Sequence, residues 1–161
     1  MRYLLIFIVI CALITFVVMV LRLFQIIFLF AYRKKASEVA LVSDAELPTV
    51  TVIIPAYNEE KVIKKTLNNV LSLDYPNEKF EVLVINPSSK DHTAEIAREV
   101  ISQRARKAKV IDATDDFEHH GKPRALNFGL KYAKGDIIVI YDADSIVDKM
   151  AVKYLASYLV K

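Results

Sequence analysis

Hydrophobic positions along this chain fall into two regimes. From Tyr3 through Leu21 no residue is charged, and about 19 residues rising 1.5 Å each cover about 28 Å, close to the hydrocarbon thickness of a bilayer. The apolar run continues past Arg22 and Gln25 to Tyr32. Either one long tilted helix or a span followed by an interfacial turn fits that pattern, with Arg22 able to snorkel to a headgroup. A cleaved signal peptide would show a shorter apolar stretch and a small-residue cleavage site, and neither is evident. Residues 1–32 are therefore expected to form an uncleaved transmembrane anchor.

Beyond Pro48 the pattern changes to short apolar runs alternating with amphipathic ones. Thr49 to Ile54 is a β-branched run stopped by Pro55, and Asn58 is expected to cap a helix with Glu59 and Glu60 in its first turn. Ile63, Thr66, Leu67, Val70 and Leu71 then recur at helical spacing until Tyr75-Pro76 breaks the pattern. Phe80 to Ile85 is a second continuous apolar strand, and Asp91 or Thr93 can cap a helix carrying Ile96, Ala97, Val100 and Ile101. Val110-Ile111 predicts a short third strand, Pro123 to Ala133 a helix opened by proline, and Asp136 to Tyr141 a fourth strand. Ser145 to Lys161 has the pattern of a single amphipathic helix with Met150, Val152, Tyr154, Leu155 and Leu159 on its apolar face. Strands buried on both faces with helices between them imply an α/β fold with a mostly parallel, Rossmann-like sheet, whose ligands bind at the carboxyl ends of the strands. The polar clusters at Pro55 to Glu59, Asn86 to Asp91 and Asp142 to Asp144 all lie at such ends.

The chemistry concentrates in the last of these. Gly135 to Asp144 ends an apolar strand in Asp142-Ala143-Asp144. In an extended chain residues i and i+2 point the same way, about 7 Å apart at Cα, so the two carboxylates can share one cation directly or through water. Hard cations such as Mg²⁺ or Mn²⁺ take one or two carboxylates plus substrate phosphate oxygens, which makes a metal-bound diphosphate the natural partner. An acidic turn after a strand is the other reading of the same three residues.

Three segments in order resemble a known family. Val52 to Glu59, Gly121 to Asn127, and Asp142 to Asp144 are similar to signatures of the inverting family-2 glycosyltransferases, which include cellulose, chitin and hyaluronan synthases. The resemblance covers residues 49–161 and implies a GT-A fold that binds a nucleoside-diphosphate sugar. By the same resemblance Pro55, Tyr57 and Glu59 lie beside the nucleotide and Lys122 near the diphosphate. Asp142 and Asp144 are expected to hold the divalent metal, with Asp142 also facing the substrate. A lysine and a divalent cation both neutralise charge on a departing diphosphate, so the physical account agrees. The family carries Asp-Asp-Gly-Ser-x-Asp after its second strand, whereas this chain has Asn86-Pro87-Ser88-Ser89-Lys90-Asp91. Asn86 can still exchange hydrogen bonds and counts as a substrate-binding candidate, but Pro87 offers neither a side-chain acceptor nor an N–H.

Composition bounds these expectations. The chain has 161 residues, 54% hydrophobic, and with the anchor set aside one soluble region of just over 100 residues remains, enough for one core. Residues 33–48 are expected to form a basic juxtamembrane linker and, by the resemblance, 49–161 a partial GT-A domain. Net charge is +3 and rests partly on Arg33-Lys34-Lys35, which argues for membrane contact rather than nucleic acid and, by the positive-inside bias, for a single-pass protein with its domain in the cytoplasm, where nucleotide sugars are made. Arg104, Arg106, Lys107 and Lys109 are read as cations at a helix's carboxyl end. His119-His120 lacks zinc-ligand spacing and is expected in an exposed loop. The single cysteine, Cys11, lies in the membrane run. By the resemblance, an acidic catalytic base and, in processive members, a Gln-x-x-Arg-Trp motif lie further downstream, and neither follows Asp144. The chain is thus expected to be the donor-binding half of a membrane glycosyltransferase acting on a glycan or lipid acceptor, from a fragment, a split gene or a shortened paralogue, with its GT-A domain truncated. A non-catalytic membrane protein that keeps the fold and pairs with a separate chain carrying the catalytic remainder stays open. A sugar nucleotidyltransferase fits less well, because Pro55-Ala56-Tyr57-Asn58 is no glycine-rich phosphate loop.

Overall fold

A computed structural model of the chain describes residues 1–36, 40–113 and 121–160, without the side chains of 32–36. It divides into two compact units, Met1–Ala40 and Leu41–Lys161. The first is one continuous helix, α1, Arg2–Ala36, so the pattern resolves to a single long helix rather than a span and a turn. Its stretch Arg2–Ala31 is long and apolar enough to cross a membrane, and all of its residues are exposed. Thr15 returns its hydroxyl to the carbonyls of Cys11 and Ala12 at 3.0 and 2.9 Å, so this polar group needs no partner outside the helix.

The second unit is an α/β layer structure. Its elements are β1 (Val50–Pro55), α2 (Ile63–Val70), β2 (Phe80–Asn86), α3 (Thr93–Ser102), β3 (Ala108–Asp112), α4 (Gly121–Leu130), β4 (Ile137–Ile140) and α5 (Ala151–Leu159). The sheet order is β3-β2-β1-β4 and every pairing is parallel. Because side chains alternate along a strand, Val50, Val52 and Ile54 share one face with Val82 and Val84, under Leu67, Val100 and Val152 from α2, α3 and α5. Ile53, Leu83 and Ile85 form the other face beneath Ala125 of α4. Each fully buried Ile or Leu removed from water contributes about 1.5 to 3 kcal/mol, so two covered faces explain why these strands are apolar throughout. Gly129 lets α4 approach closely: a Cβ there would lie 2.9 Å from Ile85 Cγ1.

The chain runs outward through β1, β2 and β3 with α2 and α3 on one face, then returns to the other side of β1 with α4 on the opposite face. The reversal leaves a crevice between the carboxyl ends of β1 and β4, the place where open α/β sheets bind ligands. The amino-terminal edge is closed by polar bonds instead. Glu81 Oε1 accepts from the Thr51 hydroxyl at 2.7 Å and the Lys134 N–H at 2.8 Å, and Lys107 Nζ lies 3.0 Å from its other oxygen. Thr51 Oγ1 in turn accepts the Gly135 N–H at 2.8 Å.

Four local expectations are corrected. Asn58 does not cap α2, which starts at Ile63 after Val62; Asn58 instead adopts φ 56° and joins two loops. The carboxyl-terminal helix begins only at Ala151, and it buries Val152, Ala156 and Ser157 while Tyr154, Leu155 and Leu159 stay exposed. The basic cluster ties loops rather than capping α3: Arg106 donates to the carbonyls of Leu73 and Tyr75, each at 2.8 Å, and stacks on Phe80. The second half of the expected linker packs into the domain, with Leu47 buried and Lys79 Nζ bound to the carbonyls of Asp44, Ala45 and Leu47. His119-His120 lies outside the described residues.

Candidate functional site

A cavity of about 400 Å³ opens at the carboxyl edge of the sheet. β1 and its exit contribute Pro55, Ala56, Tyr57 and Glu59; the exit of β2 contributes Pro87; α4 contributes Gly121, Lys122 and Ala125; the exit of β4 contributes Asp142, Ala143 and Asp144. Six of the seven residues singled out from sequence, Pro55, Tyr57, Glu59, Lys122, Asp142 and Asp144, therefore line one cavity. Asn86 does not.

Local bonding explains how each is presented. Pairing of β1 with β2 continues one residue past Pro55, with the Ala56 N–H donating to the Ile85 carbonyl at 2.9 Å. The loops after β1 and β2 are then laced together. Ser89 Oγ accepts the Asn58 N–H at 3.1 Å, Asn58 Oδ1 accepts the Lys90 N–H at 2.8 Å, and Thr93 Oγ1 accepts the Glu59 N–H at 2.8 Å. Asp91 holds the start of α3 and also accepts the Glu60 N–H at 3.1 Å. Desolvation pushes its carboxyl up, but the Thr93 hydroxyl and N–H, with the Glu60 N–H, hold it below the ordinary range. Tyr57 and Glu59 thus project from a loop fixed at its backbone rather than from a helix.

The acidic pair sits on a turn, not on extended chain. The Ser145 N–H donates to the Asp142 carbonyl at 3.0 Å, which reverses the backbone over Asp142 to Ser145. Ala143 at its centre is buried, and its carbonyl accepts the Thr66 hydroxyl at 2.6 Å. Asn69 grips the following segment, accepting the Val147 N–H at 2.9 Å and donating to the Val147 carbonyl at 3.0 Å. Both acids reach the cavity because α2 pins the turn from behind. Thr66 and Asn69 were not singled out from sequence. Helical spacing places Thr66 in the core, and a polar residue of α2 carries no local signal of a contact 78 residues away.

Lys122, in the first turn of α4, forms an ion pair with Asp142. The two side chains are 51% and 54% exposed, so the pair is well screened and its place in the cavity matters more than its contribution to stability. Among the described residues no cluster of three His, Cys, Asp or Glu could close a metal shell. Two exposed carboxylates fit a hard cation that keeps open positions for water and phosphate oxygens, and they do not fit a closed structural site.

Asn86 is committed elsewhere. It is buried, its Oδ1 accepts the Ser89 N–H at 3.1 Å, and its Nδ2 donates to Asp112 Oδ1 at 2.8 Å.

The family model for glycosyl transferase family 2 matches residues 51–161. The chain belongs to this family. The probable glycosyltransferase YdaM of Bacillus subtilis (strain 168) is 43% identical over 110 residues, covering 68% of this chain and 26% of that protein. Poly-beta-1,6-N-acetyl-D-glucosamine synthase of Staphylococcus aureus (strain COL) is 39% identical over 110 residues, covering 68% and 25%. The chain thus spans about a quarter of the length of these relatives. Among solved structures, the mannosyltransferase PcManGT from Pyrobaculum calidifontis, in complex with GDP-Man and Mn²⁺, superimposes with a TM-score of 0.68 at 31% identity over 83% of this chain and 40% of that one. TarS 1-349 of S. aureus, in complex with UDP-GlcNAc, gives 0.60 at 32% identity over 69% and 31%. The family resemblance and the GT-A type of the parallel sheet are thereby borne out.

Proposed function

We propose that this chain carries the donor-binding part of a membrane-anchored glycosyltransferase, which moves a sugar from a nucleoside-diphosphate sugar to a glycan or lipid acceptor. The observation that carries this reading is the meeting of Asp142, Asp144 and Lys122 in one cavity with Tyr57 and Glu59. Two acids and a lysine suit a diphosphate bridged to a divalent cation, Mg²⁺ or Mn²⁺, and neighbours with this fold hold GDP-Man with Mn²⁺ and UDP-GlcNAc. When bound, the cation would supply charge neutralisation at the diphosphate. Lys122 adds an ammonium on the same side of the cavity, and its half-exposed pairing with Asp142 can be exchanged for a phosphate oxygen. Glu59 offers an acceptor to the ribose hydroxyls and Tyr57 an aromatic face to the base, on a loop whose backbone is already ordered, which lowers the entropic cost of binding. The turn of Asp142 to Ser145, pinned by Thr66, holds the two carboxylates before ligand arrives.

With two protein ligands, the cation should bind weakly by itself and tightly once a nucleoside diphosphate adds oxygens. Calorimetry of the full chain in detergent with UDP, with and without Mn²⁺, tests this. Binding is expected to need the metal and to be lost in Asp144→Ala. Metal-independent binding that survives the substitution refutes the assignment.

A further inference from the structure

In the loop leaving β2, the side chains of Asn86, Ser88, Ser89 and Asp91 all have hydrogen-bond partners before any ligand arrives. Asn86 is spent on the Ser89 N–H and Asp112, and the Ser88 hydroxyl donates to the Ala113 carbonyl at 3.0 Å. Ser89 Oγ accepts the Asn58 N–H and donates to the Ala56 carbonyl at 3.4 Å. Asp91 accepts from Thr93 and Glu60. Among the described residues of this loop only Pro87 lines the cavity, and a proline ring presents neither donor nor acceptor. Tyr57 adds an exposed ring to the same cavity. The ionised groups there, Lys122, Asp142, Asp144 and Glu59, come from α4 and from the exits of β4 and β1, not from the exit of β2.

We propose that Pro87, with Tyr57, holds the nucleotide base by contact alone, so that the site does not distinguish uracil from cytosine and affinity is set at the diphosphate end. This rests on the reading of the cavity as a nucleotide site. Uracil and cytosine have the same ring and size and differ at one edge: N3–H and a carbonyl in uracil, a bare N3 and an amino group in cytosine. A site built to hydrogen-bond one edge leaves buried groups unpaired against the other and rejects it strongly, whereas an apolar wall discriminates weakly.

The test titrates the full chain in detergent, with Mn²⁺ present, with UDP and with CDP. The two dissociation constants are expected within about threefold of each other. In Pro87→Asp, a carboxylate that can accept the uracil N3–H and repel the cytosine N3 lone pair should raise the preference for UDP to about tenfold. A preference for either nucleotide beyond about tenfold in the unaltered chain overturns the proposal, and that comparison stands even if the variant does not fold. An unchanged ratio in a folded Pro87→Asp that still binds UDP also overturns it. Failure of both nucleotides to bind with Mn²⁺ would instead remove the nucleotide-site reading itself, and the two failures are thereby separable.

Discussion

At the residue scale, the cavity depends on side chains that never touch it. Thr66→Val keeps the shape of the buried side chain but removes the bond to the Ala143 carbonyl. The expected cost is about 1 kcal/mol of stability, with Mn²⁺-dependent nucleotide binding weakened about fivefold as the turn loosens. Chemical denaturation and calorimetry on one preparation measure both, and unchanged nucleotide affinity would show that the turn needs no support from α2. The Tyr141 hydroxyl presents the opposite case. It is buried with no hydrogen-bond partner among the described residues, and burial pushes its pKa up. Tyr141→Phe should therefore leave stability unchanged or raise it by about 1 kcal/mol, read from the denaturation midpoint. A clear loss would mean the hydroxyl is satisfied. The motif residues of the cavity were legible because their chemistry and order are local features of the chain. Asn86 shows the limit of that reading: the amide was visible in sequence, but its bond to Asp112 comes from the pairing of β2 with β3. Asn86→Asp would set two carboxylates against each other there, so restoring an acid at this position should destabilise the fold rather than add a ligand contact.

At the element scale, apolar runs specified the strands because both faces of the sheet are covered, and the four strands and the first three helices of the domain fall where periodicity puts them. Helix ends were less legible. Asn58 and its following acids look like a cap, yet the backbone there is held by the neighbouring loop, a partner 31 residues away. The sheet's amino-terminal edge gives a pH prediction. Burial, the largest single influence on Glu81, would raise its carboxyl, but the Thr51 hydroxyl, the Lys107 ammonium and the Lys134 N–H together hold it below its ordinary value. A carboxyl depressed in the folded state contributes stability that is fully present above its unfolded pKa, about 4.3, and is lost as pH falls through the folded value. The full chain should lose urea resistance below about pH 4.3 more steeply than Glu81→Gln, which is already weaker at pH 7. Parallel pH profiles of the two proteins would exclude Glu81 as the titrating group.

At the scale of the whole molecule, α1 and the domain are separate compact units joined through residues 37–39 and flanking chain, and the sequence marked this division by the change from unbroken to interrupted hydrophobicity. For a helix that spans a membrane, the side its flanking domain occupies is set by charge at the two ends. Arg33, Lys34 and Lys35 follow the apolar stretch, against Arg2 before it. An excess of lysine and arginine close to one end of a span retains that end in the cytoplasm. That orientation would put the cavity where nucleotide sugars are made. The single cysteine makes the test direct, because Cys11 lies within α1. With Cys11→Ser as background, Tyr158→Cys places a thiol on the exposed face of α5. A membrane-impermeant maleimide should label it only after the cells are permeabilised. Replacing Arg33, Lys34 and Lys35 by Asn removes the excess, and part of the population should then be labelled in intact cells. Labelling of the Cys11→Ser, Tyr158→Cys protein in intact cells while Arg33, Lys34 and Lys35 are still in place would put the domain outside, away from the cytoplasmic donor, and the proposed donor-binding role would fail with it.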